Sequence, residues 1–287
     1  MRKTPRQVFK ANVKLFEIEP HSYCNRKCWF CPNSFIDRSG LVNFFDREIY
    51  TQILSDLQGI GYSEAMCFAG WCEPFSHILQ TVDFIQKARV ALPDASLFSN
   101  TNTDYLTTAV VLGVADAGLN LLKCQLYYAK DEVYSEHATR GKMDQLKAKL
   151  PGIDFEERLP CKWYAMVGDL VVHAYSKDFR EVGHNRCDIE VRSSRKRYHT
   201  CGEPITMFGV NYNGWAVPCC NIRSDYEPHR NILLGRMNSR PGRIFELYKG
   251  TLLPETKYPC STCMGKQWHA NHKIVLNQVL KELKDGK

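Results

Sequence analysis

A chain of 287 residues, 44% of them hydrophobic, can build one large domain, or one domain with a small appendage. Thirteen cysteines would suggest disulfides in a secreted protein, yet Met1–Gln7 is basic and polar with no apolar stretch after it, and no run of 18 apolar residues exists. This excludes a membrane-spanning helix and points to a cytoplasmic, metal-binding protein; the net charge of +7 suits an anionic small-molecule substrate and leaves nucleic acid open.

The first expected element is a strand over Leu15–Pro20 that runs into a cysteine-rich loop. Arg47–Leu57 has helical periodicity, with Ile49, Ile53 and Leu57 on one face. Ala65–Gly70 is a short apolar strand. Ile78–Leu92 is a helix with Leu79, Val82, Phe84, Ile85 and Val90 as its apolar side, ended by Pro93. A strand at Ser96–Asn100 precedes a helix at Tyr105–Leu119, with Thr103 or Asp104 as its cap. Leu121–Tyr128 is a fourth strand, Asp131–His137 and Lys142–Leu150 are helical, and Lys162–Leu170 is a fifth strand. This alternation predicts βαβ units, an α/β fold and a parallel sheet. The charged stretch Lys177–Arg197, with Arg192, Arg195, Lys196 and Arg197, divides the chain into 1–176 and 177–287. In the second part, Ile205–Asn211 and Trp215–Pro218 flank Asn213-Gly214 as a hairpin, and a helix covers Arg243–Tyr248.

Two sets of cysteines stand at ligand spacing. Cys24, Cys28 and Cys31 form C-x3-C-x2-C, with Phe30 just before the third. Three thiolates can hold three irons of a [4Fe–4S] cube and leave the fourth open. Structural clusters and zinc sites normally add a fourth protein ligand, so a zinc knuckle is the alternative here. Cys201 and Cys219 fall at the open end of the hairpin, and Cys260 and Cys263 form C-x2-C. Four thiolates suit zinc and an iron–sulfur cluster equally. Cys220 either exchanges with Cys219 as ligand or is a free thiol. Cys67 and Cys124 read as small core residues, and Cys72, Cys161 and Cys187 have no ligand spacing.

The run Cys24–Cys31, with Pro32-Asn33-Ser34 after it, resembles the signature of the radical S-adenosylmethionine (SAM) superfamily. The resemblance implies a partial (β/α)6 barrel. In that family a cluster on the three cysteines binds SAM and donates the electron that cleaves it to a 5′-deoxyadenosyl radical. The later cysteines resemble the twitch domain, a short form of the family's SPASM extension, built from a β-hairpin plus a helix. That implies a second [4Fe–4S] cluster on Cys201, Cys219, Cys260 and Cys263, and a flavodoxin- or ferredoxin-type electron donor. Three segments are similar to SAM-binding elements of the family. Gly70-Trp71-Cys72-Glu73-Pro74 places Glu73 on the methionine amino group, with Cys72 where a glycine is usual. Ser99-Asn100-Thr101-Asn102 lies toward the ribose. Gln125 and Arg140 complete the set, the arginine toward the carboxylate. Phe30 joins them at the cofactor. Read without the resemblance, each segment is also a turn, a cap or an exposed arginine.

Both cysteine regions look most like a dehydrogenase of the family. The expected reaction is therefore oxidation of a polar small molecule, best guessed as a carbohydrate-like alcohol. An epimerase that uses Cys220, Cys187, Cys161 or Cys72 as hydrogen donor is the runner-up. Modification of a nucleotide or nucleic acid is a further option. So is modification of a peptide, although 23 residues before Cys24 are too few for a peptide-recognition domain. A non-catalytic metal-binding scaffold is the reading from another class.

Overall fold

The computed structural model describes residues 4–182, 189, 201–248, 258–260 and 263. Cys187, the basic group Arg192, Arg195, Lys196 and Arg197, and most of the expected junction lie outside the described residues. Helix α1 (Pro5–Asn12) starts on a capping box between Thr4 and Gln7. Strand β1 (Leu15–Ile18) follows and leads into the cysteine loop. Then come α2 (Arg47–Gly59), β2 (Ala65–Phe68), α3 (Ile78–Ala91), β3 (Ser96–Thr101), α4 (Thr108–Asp116), β4 (Leu121–Gln125) and α5 (Glu136–Lys149). The chain continues through β5 (Glu156–Leu159), β6 (Lys162–Val167), β7 (Leu170–Tyr175) and the single turns α6 (Phe179–Val182) and α7 (Glu203–Thr206). It closes with β8 (Met207–Val210), β9 (Trp215–Val217), β10 (Gly235–Arg236) and α8 (Arg243–Leu247).

One sheet holds all ten strands, in the order β10-β9-β8-β1-β2-β3-β4-β7-β6-β5, and it is not closed. The six strands from β8 to β7 run parallel. This is an open, partial-barrel arrangement of the kind expected, with antiparallel strands added at both edges. Successive residues of a strand face opposite sides of the sheet. Phe16, Ile18, Met66 and Phe68 join the large core beneath the helices. Ala65, Cys67, Ala69, Phe98, Leu121, Tyr164 and Val171 form a smaller cluster, with Leu15 packed against it. Cys67 and Cys124 are thus core residues, as their apolar strands implied.

The structure departs from the sequence reading in four places. Lys162–Leu170 is not the fifth parallel strand: Gly168, at φ +57°, turns the chain back, and β7 takes that place. Helix α3 leaves Leu79 (84% exposed) and Val90 (77%) in solvent and buries Gln80 instead, whose amide reaches Phe45 O and Arg47. The fourth helix starts at Thr108 on a Thr107 cap, because Thr103 sits in a left-handed turn and Asp104 is engaged with Arg26. The two short helices expected between 131 and 150 are one, capped by Ser135.

The Asn213-Gly214 hairpin forms as expected, with Gly214 at φ +79° between β8 and β9. Strand β8 lies beside β1, so the hairpin extends the barrel sheet across the expected boundary at 176/177. Among the described residues no helix is long and apolar enough to cross a membrane.

Candidate active site

A cavity of about 240 Å³ opens at the carboxyl ends of the parallel strands. Ligands of open α/β sheets bind at this end. Cys24, Cys28, Phe30 and Cys31 line it, together with Gly70, Glu73, Asn100 and Gln125. Eight of the residues singled out in the sequence thus meet in one place. The cysteine loop is shaped by its own backbone: Cys31 N–H donates to Cys28 O (2.9 Å), and Ser34 N–H to Cys31 O (2.9 Å). Burial pushes the Cys24 thiol up to about 11 and the Cys28 thiol to about 12, and the neighbouring thiols add to the shift. Cys24 and Cys28, which resist ionisation alone, fit a cationic iron core, whose charge offsets the repulsion among thiolates. Phe30 stacks on Phe179 (3.6 Å between centroids), with Tyr127 tilted against both.

Glu73 is held at both carboxylate oxygens. Its carboxylate accepts from Thr101 Oγ1 (2.7 Å), Asn102 N–H (2.7 Å) and, more weakly, Phe75 N–H (3.4 Å). Burial outweighs these bonds and raises its pKa to about 7. Gly70 has φ +88°, and a Cβ there would come within 3.1 Å of the Glu19 side chain, so this glycine is required. Cys72 has no positive φ, so replacing the usual glycine costs the backbone nothing there. The loop after β3 also grips the cysteine loop. Asn102 donates to Asn25 (2.9 Å), and Arg26 makes a bidentate pair with Asp104 (2.5 and 2.7 Å).

Two residues expected at the cofactor lie elsewhere. Ser99 is buried with its hydroxyl on Phe68 O, so it ties β3 to β2, and it is not among the residues that line this cavity. Arg140 is on the outside of α5, where its two terminal nitrogens Nη1 and Nη2 bind Glu157 of β5. The arginine is half exposed and is not among the residues that line this cavity. Of the hydrogen-donor cysteines, Cys220 and Cys72 line the cavity, whereas Cys161 is packed near Glu136 and Glu157.

Sequence reading missed Glu17, Lys177 and Phe179, which also line the cavity. A carboxylate inside the apolar strand Leu15–Ile18 was the available signal for Glu17; Lys177 and Phe179 carried none. It also missed a buried ionic network beneath the site. Arg38 pairs with Glu19 and donates through Nε to Asp225 (3.0 Å). Arg223 binds both oxygens of Asp225 (2.8 and 2.8 Å) and Asn33 Oδ1 (2.7 Å). Glu19 accepts further from Trp71 N–H (2.9 Å) and Tyr212 N–H (3.1 Å). One network therefore ties together the cysteine loop, the segment before Glu73 and the C-terminal hairpin.

At the open end of that hairpin, Cys260 packs with Val217, Ile222 and Ile232, and Cys219 lies against them. The Cys219 thiol is pushed up by burial and then by Cys220, Cys263 and Cys201. Asn221 donates to the Cys263 sulfur (3.6 Å). Among the described residues no three ligating side chains converge at the spacing of one shared ion. A cube needs less convergence, since each thiolate binds its own iron.

No family model matches the chain. Over 208 residues, 71% of this chain and 72% of the relative, it is 27% identical to the S-adenosyl-L-methionine-dependent 2-deoxy-scyllo-inosamine dehydrogenase of Niallia circulans. The crystal structure of BtrN in complex with AdoMet and 2-DOIA matches with a TM-score of 0.63 at 18% identity, over 90% of this chain and 96% of that one. BtrN in an open conformation matches with a TM-score of 0.55 at 16% identity, over 88% and 92%. These structures share the fold. The sequence relative is a SAM-dependent dehydrogenase, in agreement with the family read from the cysteine loop.

Proposed function

We infer that the chain, a radical SAM protein by its cysteine loop, fold and dehydrogenase relative, oxidises a small carbohydrate-like alcohol such as an aminocyclitol. The observation that carries this is the meeting of three cysteines, Glu73 and Asn100 in one cavity at the carboxyl ends of the strands. A cluster held by Cys24, Cys28 and Cys31 supplies, when bound, the electron that converts SAM to a hydrogen-abstracting radical. The chain's own residues do the rest. Glu73 takes the methionine ammonium; Phe30, Tyr127 and Phe179 offer aromatic surface; Asn100 and Gln125 offer amide groups to hydroxyls. Cys201, Cys219, Cys260 and Cys263 are proposed to hold a second cluster, which gives the substrate's second electron a place to go. Incubating reconstituted protein with SAM, a strong reductant and 2-deoxy-scyllo-inosamine tests the reading. Ketone and 5′-deoxyadenosine in equal amounts support it; 5′-deoxyadenosine with unchanged substrate across a panel of polyols does not.

Two sets of cysteines predict about eight irons per reconstituted chain. Iron near four with one zinc would remove the second cluster and leave the first.

Glu73 makes SAM binding depend on pH. Its carboxylate must be ionised to hold an ammonium, and its pKa stands at about 7 before SAM arrives. Below that pH the free protein must lose a proton first, so affinity falls with pH. We expect SAM to bind about tenfold more weakly at pH 6 than at pH 8, and Glu73→Gln to lose about tenfold or more at pH 8. Equilibrium dialysis with the variant's clusters intact measures both; a flat pH profile would make Glu73 only a loop anchor.

Cys220 on the cavity wall supports a second reading, epimerisation by a thiol hydrogen donor. Turnover in deuterated water separates them. An inverted product carries deuterium at the reacting carbon, and a ketone does not.

A further inference from the structure

We propose that Lys123 is a specificity-determining residue. From the floor of the cavity its ammonium takes an anionic group, a carboxylate or a phosphate, carried by the alcohol that is oxidised. The inference rests on the proposed oxidation of a small carbohydrate-like alcohol and narrows that class to acidic substrates.

Residues paired in register point to the same side of a sheet. Lys123 of β4 is paired with Asn100 of β3 and with His173 of β7, and His173 is paired with Tyr164 of β6. Asn100 lines the cavity, and so does Gln125, two residues beyond Lys123 on the same strand. Lys123 therefore stands on the cavity's own face of the sheet, between these wall residues and the smaller core cluster. Ala69 of that cluster also lines the cavity. The Lys123 ammonium lies over the Phe98 ring of the same cluster, 4.3 Å from its centroid. Its flexible four-carbon stem can lift the charge from Phe98 toward the space beside Asn100.

The surroundings favour an anion. An ammonium over an apolar floor has lost much of its water, and burial pushes the Lys123 pKa down to about 8. An opposite charge entering the cavity offsets that penalty. Two more cations stand at this side: Lys162, in register with Tyr175, and Lys177 on the cavity wall. His173 stacks on Tyr164 (4.4 Å between centroids) and on Tyr175 (4.6 Å). It stays neutral, pushed down to about 3 by burial and then by Lys123 and Lys162. Its Nε2 is buried and has no hydrogen-bond partner among the described residues. Folding seldom leaves a buried nitrogen so, and an anion held at Lys123 offers it an acceptor. Of the acids on the cavity wall, Glu73 is held by Thr101 and Asn102. Glu17 is on β1, three strands from β4, roughly 14 Å along the sheet at the usual strand spacing. The lumen thus presents positive charge at the β4–β7–β6 side and a carboxylate at the other.

The test is isothermal titration of the reconstituted full-length protein, with SAM and without reductant. The probes are neutral myo-inositol, myo-inositol 1-phosphate, glucuronate and the amine 2-deoxy-scyllo-inosamine. We expect one of the two anions to bind about tenfold or more tighter than myo-inositol, and which one does so identifies the group as phosphate or carboxylate. Lys123→Met should abolish that preference, and Lys123→Arg should keep most of it. His173→Phe preserves the ring stack and should weaken it by less than Lys123→Met does. Unfolding midpoints are read on the same samples, since a lysine that only braces Phe98 would lower the midpoint and leave the preference. A wild type that prefers neither anion, one that prefers the amine, or a preference that survives in Lys123→Met overturns the proposal. If Lys123→Met does not fold, the wild-type series and Lys123→Gln decide. Binding is read without turnover, so its failure with SAM cleavage intact counts against this inference alone. Wild-type protein that releases no 5′-deoxyadenosine from SAM overturns the proposed function, and this inference with it.

Discussion

Replacing Cys24, Cys28 and Cys31 together by alanine is expected to leave a folded protein that releases no 5′-deoxyadenosine from SAM. The loop does not depend on its thiols for shape. Cys24 N–H bonds Arg38 O (3.0 Å), Cys31 N–H bonds Cys28 O, and Asn33 is pinned between Trp71 and Arg223. All of these survive the substitutions. What is lost is every ligand for the first cluster, and with it the only group proposed to pass an electron to SAM. Iron should fall to about half, the remainder on the second cysteine set. The comparison needs anaerobic reconstitution, iron analysis and chromatography of the quenched reaction. Persistent SAM cleavage in the triple variant would show that the catalytic assignment is wrong.

Arg38→Met is expected to destabilise the fold by about 3–5 kcal/mol, because it strands Glu19 as an unpaired buried charge. Glu19 and Arg38 are 0% and 6% exposed. Even with Arg38 present, burial raises the Glu19 pKa. Without it the rise is larger. A carboxyl whose folded pKa lies above its unfolded value binds more protons when folded, so stability increases as pH falls through that window. The deficit of Arg38→Met should therefore shrink between pH 8 and pH 5. Asp225 also loses its Arg38 contact in this variant but keeps both bonds from Arg223, and the double variant with Glu19→Gln carries the same loss, so the comparison between the two isolates Glu19. Adding Glu19→Gln to Arg38→Met should recover part of the loss, since the stranded charge is gone and the single amide oxygen keeps one of the two N–H bonds that Glu19 accepts on separate oxygens from Trp71 and Tyr212. Urea unfolding of the four proteins forms a double-mutant cycle. If the double variant is no more stable than Arg38→Met, the stranded-charge explanation fails.

Much of this protein is legible from local sequence, because the signals are short-range. Three cysteines at C-x3-C-x2-C can share one cluster whatever surrounds them, and the resemblance they carry led to SAM. Asn213-Gly214 supplies the positive φ that its hairpin turn needs, and that turn forms. Apolar strands alternating with amphipathic helices call for a parallel sheet, and a parallel sheet opens its site at the carboxyl ends of its strands. Where reading failed locally, side-chain chemistry overrode periodicity: buried Gln80 and exposed Leu79 both belong to α3.

Only the tertiary structure decided which residues share the cavity. Ser99 and Arg140 match family positions by sequence, yet one hydroxyl is taken by Phe68 O and one guanidinium by Glu157. Glu17, Lys177, Phe179 and Cys220 come from distant parts of the chain and meet because of strand order. The placement of β8 beside β1 brings Arg223 to Asn33, Asp225 to Arg38 and Tyr212 to Glu19, pairs about 190 residues apart. No window of sequence contains both members of such a pair. Spacing determines what a cysteine loop can bind; the register of strands far apart in the chain determines which charges are buried beside it.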